Sequence, residues 1–150
     1  MNRMRLLQTL KEDEGFRPKA YWDKEQWTYG YGCKAPGEGA TITEELACTL
    51  LAVNLDTAIA HFNRIFKDHL QKFNDVRAEC FVNLIFNMGP GRPGGSKGLL
   101  SFKNTLALIF KNKEVPWEQV GMNLQKSLWF WQVGKRAERI VEEVRTGEKS

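Results

Sequence analysis

The chain has 150 residues, enough for one domain, or for two lobes sharing a chain, around a sizeable core. Apolar residues at 42% and charged residues at 27% are the proportions of a soluble globular protein. No apolar run approaches the ~20 residues a membrane-spanning helix needs, which excludes membrane insertion. A net charge of +4 suits an anionic partner such as cell wall or nucleic acid.

The first residues, Met1-Asn2-Arg3-Met4-Arg5-Leu6-Leu7, include basic side chains but no continuous apolar region and no small-residue cleavage site. The expectation is therefore no signal peptide and a protein made in the cytoplasm. From Asn2 to Asp13, Met4, Leu6, Leu7 and Leu10 follow a helical period. Gly15 is a natural stop, because glycine takes the left-handed cap conformation cheaply. Glu14 then falls at the negative end of the helix dipole, which disfavours a bare carboxylate and favours a proton donor.

Two short strands follow, Lys19 to Asp23 and Thr28 to Gly32, around a four-residue loop, Lys24-Glu25-Gln26-Trp27. That loop predicts Asp23 opposite Thr28. The period of two predicts Trp27, Tyr29 and Tyr31 on one face, to pack, and Thr28, Gly30 and Gly32 on the other. Glycine in a strand often marks close approach of a ligand, so the second face reads as a groove floor carrying Thr28 beside Asp23.

After a Gly/Pro-rich turn region from Cys33 to Ala40, Thr43 can cap a helix whose first turn holds Glu44 and Glu45. This helix is expected to reach about Lys67, with Leu46, Leu50, Val53, Ala58, Phe62 and Ile65 along it, long enough to connect two lobes. Another begins after Asn74. Val76, Cys80, Leu84 and Met88, widened by Phe81 and Ile85, give it the broad apolar face of a buried central helix. The segment Gly89 to Gly98 is a loop; the Gly-x4-Gly-Lys-Ser/Thr order of a phosphate loop is absent from it. Further helices are expected from Phe102 to Asn112, from Pro116 to Ser127 with Pro116 at its first position, and from Lys135 to Thr146. Trp129, Phe130 and Trp131 read most simply as core, with the alternative that one of them lines a sugar-binding cleft. Three cysteines, Cys33, Cys48 and Cys80, have no metal-like spacing and suit a reducing compartment, with Cys80 in the core. His61 and His69 show no partner pattern and are not expected to be metal ligands.

These residues resemble a known family, the T-even-phage-type lysozymes, the endolysins of glycoside hydrolase family 24. Glu14-Gly15-Phe16-Arg17-Pro18-Lys19-Ala20-Tyr21-Trp22-Asp23 fits its Glu, eight residues, Asp signature, and Thr28-Tyr29-Gly30-Tyr31-Gly32 its Thr-x-Gly-x-Gly strand. Phe86-Asn87-Met88-Gly89, Phe102 to Leu106, Asn123 to Trp129, Arg136 to Ile140 and Arg145-Thr146-Gly147 resemble further segments in the same order. The family usually carries one more residue between Asp and Thr, has histidine in many members where Cys33 stands, and has a different loop at 89–98.

The resemblance implies an α+β, lysozyme-like fold over 1–150. Its parts would be a small antiparallel sheet lobe (about 15–45), a long connecting helix (about 43–67) and a larger helical lobe (1–14 plus about 68–150), with a cleft between the lobes. It implies an endolysin, a muramidase that hydrolyses the β-1,4 linkage between N-acetylmuramic acid and N-acetylglucosamine in peptidoglycan, with inversion, and so lyses bacteria. Glu14 would be the general acid, Asp23 the second carboxylate, and Thr28 would help hold the water. Arg136 would pair with the catalytic glutamate, and Phe86, Asn87, Thr105 and Asn123 would bind saccharide. A glycosidic bond breaks through an oxocarbenium-like transition state, where one carboxyl gives a proton while another stays anionic. The expected partner is peptidoglycan, met by a monomer released from the cytoplasm to the wall. The alternative is a peptidoglycan-binding homologue with weak or no turnover. A nucleic-acid binder is disfavoured, because Lys and Arg are spread through the chain among acids.

Overall fold

In the computed structural model, which describes all 150 residues, seven α-helices accompany one three-stranded antiparallel sheet, an α+β, lysozyme-like architecture. The chain divides into two compact units, Arg3–Thr57 and Met1–Asn2 with Ala58–Ser150.

The unit Arg3–Thr57 opens with α1 (Arg3–Glu14), which buries Leu6 and Leu10. The sheet follows as β1 (Arg17–Asp23), β2 (Gln26–Gly30) and β3 (Cys33–Lys34), side by side in that order. The segment after β3 returns along β1: the Ala20 N–H donates to Ala40 O (2.8 Å) and the Ile42 N–H to Pro18 O (2.9 Å). Thr43 caps α2 (Glu44–Ile65) as expected, its Oγ1 accepting from the Leu46 N–H at 3.2 Å.

The hairpin differs from the expected one. Asp23 pairs with Gln26, Trp22 with Trp27, and Tyr21 with Thr28, leaving Lys24 and Glu25 as the turn. The reason lies in the aromatic pair. Trp22 and Trp27 meet edge-on, ring centroids 5.5 Å apart, and such cross-strand pairs set register. Two residues assigned to the loop are thereby drawn into β2. The tighter turn forces Lys24 to a positive φ of 54°, which costs a non-glycine residue about 1–2 kcal/mol.

The face reading is corrected as well. Thr28 and Gly30 are buried rather than a bare groove floor, and a Cβ on Gly30 would lie 3.1 Å from the Ala47 side chain and 3.6 Å from Ile42. Gly30 is small because the start of α2 packs there. Trp27 instead faces outward with the exposed Trp22. Tyr31 lies beyond β2, buried, and its hydroxyl donates to Glu44 Oε1 at 3.0 Å. Burial and then that bond push its phenol up to about 12. Along α2 the buried stripe is Ala47, Leu51, Leu55, Ala58 and Phe62, whereas Leu46 and Val53 are 50% and 56% exposed, against expectation. The i, i+4 series from Ala47 sets the inward face and turns those two out.

In the unit containing Ala58–Ser150, a cluster of Phe62, Phe66, Phe73, Phe81, Phe110 and Trp117 forms the aromatic centre, with centroid separations from 4.9 to 6.4 Å. Full burial of a side chain such as Phe66 or Phe81 contributes about 1.5–3 kcal/mol. α3 (Asp75–Met88) starts at its Asn74 cap, whose side chain accepts from the Arg77 N–H at 2.9 Å. It is buried continuously from Ala78 to Ile85, as its wide apolar face predicts. Cys80 is core, and burial followed by the charge of Glu143 pushes its thiol far up.

The loop 89–98 folds back on itself through Gly95 N–H to Arg92 O (2.9 Å), Leu99 N–H to Gly89 O (3.0 Å) and Leu100 N–H to Pro90 O (2.9 Å). Then come α4 (Lys103–Phe110), α5 (Trp117–Gln125), α6 (Leu128–Val133) and α7 (Lys135–Thr146). Pro116 is the N-cap of α5 rather than its first helical residue, with ψ 78° outside the helical range. α6 is a helix where only core aromatics were expected. It buries Trp129 but leaves Trp131 77% exposed, so Trp131 is not core.

Candidate active site

Glu14 is the last residue of α1, held by the buried Leu10 and Leu6 one and two turns back. Gly15 takes the left-handed conformation (φ 67°), and its N–H donates to Lys11 O at 2.9 Å, closing the helix as the sequence predicts. The Glu14 carboxylate then lies directly over the Cα of Gly32, in the turn between β2 and β3. A Cβ built on Gly32 would overlap Glu14 Oε1 and stand 3.2 Å from Glu14 Cδ. Gly32 also has φ 73°, so the backbone favours glycine there, and a Cβ would push the Glu14 carboxylate from its place.

The Glu14 charge is felt by two neighbours. Burial and then Glu14 raise the Cys33 thiol above its ordinary range, and Asn54 Nδ2 donates to Cys33 Sγ at 3.5 Å. Cys33 is therefore a buried, protonated thiol beside the candidate acid. The second neighbour is Tyr21. Burial, then the charge of Asp23, raise its phenol, Glu14 adds to the rise, and the Arg17 guanidinium, 4.2 Å above the ring, opposes it. Both carboxylates thus lie near enough to act on one phenol.

Asp23 ends β1, exposed, with Gln26 opposite. Thr28 sits opposite Tyr21 and is 1% exposed, and its Oγ1 accepts from Gln26 Nε2 at 3.4 Å. Pairing in the ladder puts Tyr21, Asp23, Gln26 and Thr28 on one face. Asp23 and Thr28 are diagonal neighbours there rather than directly opposed. Tyr21 and Gln26 escaped the sequence reading. The signal for Gln26 was available: a register set by Trp22 and Trp27 leaves it facing Asp23.

The remaining site residues belong to the unit Ala58–Ser150. Arg136 donates from Nε and Nη2 to Asn83 Oδ1, at 3.0 and 2.7 Å, and Asn83 is 2% exposed. Asn83 was also missed, though an amide amid Phe81-Val82 and Leu84-Ile85 signals a buried hydrogen-bond hub. Phe86, half-buried, and Asn87, exposed, close α3, and Asn87 Oδ1 accepts from Trp129 Nε1 at 3.0 Å. Thr105 and Asn123 come together in one concavity of about 500 Å³, walled also by Phe102 and Lys126. Asn123 Oδ1 accepts from Gln119 Nε2 at 2.9 Å. A neighbouring hollow of about 670 Å³ is lined by Met88, Lys97, Gly98 and Trp129, bringing the glycine-rich loop beside α6. No group of three or more His, Cys, Asp or Glu side chains is arranged to hold a metal ion.

The family profile described as phage lysozyme matches residues 11–128, a span that includes Glu14, Asp23 and Thr28. The chain belongs to the phage lysozyme family. Among curated proteins it is similar to the pre-baseplate central spike protein Gp5 of Enterobacteria phage T4, 29% identical over 174 aligned positions. That alignment covers 96% of this chain but 28% of the spike protein, so the chain spans under a third of this relative. Within the family, the seating of Glu14 on Gly32 and the shared face of Asp23, Gln26 and Thr28 are the local features that bear on chemistry.

Proposed function

We propose that the chain is a muramidase that hydrolyses the β-1,4 linkage between N-acetylmuramic acid and N-acetylglucosamine in peptidoglycan, and that it acts as an endolysin. The observation that carries this reading is the Glu14 carboxylate, fixed at the end of α1 against the bare Cα of Gly32. Membership of the phage lysozyme family supports it.

Glu14 protonates the leaving glycosidic oxygen. Asp23, exposed at the end of β1, activates a water or stabilises the oxocarbenium charge. Thr28 is buried, so its hydroxyl acts with the Gln26 amide, which shares its hydrogen bond and stands opposite Asp23. Attack by water on the face opposite the leaving group inverts the anomeric centre. Arg136, held by Asn83, is the supporting cation, and Phe86, Asn87, Thr105 and Asn123 contact saccharide. Proton transfer and water suffice, so the reading calls for no cofactor. The protein works as a monomer, made in the cytoplasm and released to the wall.

The burial of Thr28 favours a second reading, a peptidoglycan-binding homologue with weak or no turnover. Mass analysis of fragments released from purified sacculi separates the two and tests the linkage. The muramidase reading predicts fragments ending in reducing N-acetylmuramic acid. Fragments ending in N-acetylglucosamine contradict the linkage, and sacculi that bind protein but release nothing favour the second reading.

A further inference from the structure

Trp131, on α6, is 77% exposed, an unusual place for the largest apolar side chain. It is nevertheless held in position. Phe130 braces it edge-on, centroids 5.7 Å apart at 88°. α6 is fixed at its start by the Ser127 cap, which accepts from the Phe130 N–H at 3.4 Å, and along its length by the buried Trp129 with its bond to Asn87. The exposed indole edges a concavity of about 500 Å³ whose other walls are Met122, Gln125 and Lys126. Lys126 also lines the concavity containing Thr105 and Asn123, so the two hollows share that lysine as a wall.

We propose that Trp131, Met122, Gln125 and Lys126 form an auxiliary subsite for the glycan strand, beyond the saccharide contacts at Thr105 and Asn123. The inference rests on the peptidoglycan reading above. The indole face stacks on the apolar face of an N-acetylhexosamine ring, and Met122 meets its acetamido methyl group. The Gln125 amide bonds a hydroxyl or the acetamido group. The Lys126 ammonium meets a carboxylate of the muramyl lactyl group or the stem peptide, in keeping with the +4 charge of the chain. A few polar groups placed around an aromatic wall are what orient a small polar ligand. An exposed Trp with Leu128 and a lysine nearby is also the composition of a membrane-surface contact. The geometry favours the saccharide: α6 has six residues, too few for an amphipathic helix lying in a bilayer interface, and the patch is hollow and carries an amide.

The test is cosedimentation with purified sacculi together with the kinetics of reducing-end release from them. It uses wild type, Trp131→Ala, Trp131→Tyr and Lys126→Gln. The proposal predicts that Trp131→Ala weakens sacculus binding roughly three- to tenfold, the worth of one aromatic contact. The kinetic loss falls on KM rather than kcat, Trp131→Tyr recovers most of the affinity, and Lys126→Gln flattens the salt dependence of binding. Sacculus binding by Trp131→Ala equal to wild type overturns the proposal, as does a Tyr variant no better than Ala. A loss confined to vesicles of phosphatidylglycerol and phosphatidylethanolamine also overturns it, in favour of a membrane contact. Wild type that binds sacculi through Trp131 yet releases no reducing ends leaves the subsite standing and removes the muramidase reading instead.

Discussion

At Gly32 one missing side chain has two consequences. Its positive φ lets the chain turn from β2 into β3, and its empty Cβ position is where the Glu14 carboxylate rests. Gly32→Ala should therefore cost about 1–2 kcal/mol of stability through the backbone and also displace the carboxylate. Gly39 provides the control: its φ is 81°, but a Cβ there meets nothing within 4 Å. Denaturant unfolding should show similar losses for Gly39→Ala and Gly32→Ala, while peptidoglycan hydrolysis falls at least tenfold in Gly32→Ala alone. Equal hydrolysis by the two variants would remove the role given to the Glu14–Gly32 contact. The helix end at Glu14 and the cap at Gly15 were legible because they depend on local rules, whereas Asp23 was expected opposite Thr28 and pairs with Gln26. Gln26 and Asn83 left fainter signals, the spacing of Trp22 and Trp27 and an amide within an apolar run, because their partners lie across the ladder and across the helix packing.

Among the elements, the hairpin shows where local spacing misleads. Counting residues between Asp23 and Thr28 suggests a four-residue loop, but the Trp22–Trp27 pair draws Gln26 and Trp27 into the strand and offsets part of what the turn loses at Lys24. A double-mutant cycle on Trp22→Ala and Trp27→Ala should report a coupling of about 0.5–1.5 kcal/mol. Both side chains reach solvent, so the variants should fold. A coupling indistinguishable from zero would mean that the pair does not hold the register. By contrast α7 appears at the expected bounds, Lys135–Thr146, because Ala137, Ile140, Val141 and Val144 give a clear helical period before Gly147. α6 was hidden, since a segment of six residues such as Leu128–Val133 is too short to show a period.

For the molecule as a whole, the sequence carried the fold class and the family, because similar segments recur in order along most of the chain. It did not carry the division at Thr57 and Ala58, which falls inside α2 where nothing in the helical pattern changes. Glu14, Asp23, Gln26, Thr28 and Gly32 all lie in the unit Arg3–Thr57, so the proposed acid and the sheet residues of the site are built by one stretch of chain. The central claim is that Glu14 is the proton donor of a glycoside hydrolase. Its most direct test is the rate of reducing-end release from purified peptidoglycan by wild type, Glu14→Gln and Asp23→Asn, each checked for native folding. Removing a general acid should lower the rate by about 10²–10⁴-fold in Glu14→Gln, with Asp23→Asn also strongly reduced. A Glu14→Gln variant that folds and releases reducing ends as fast as wild type would contradict the assignment.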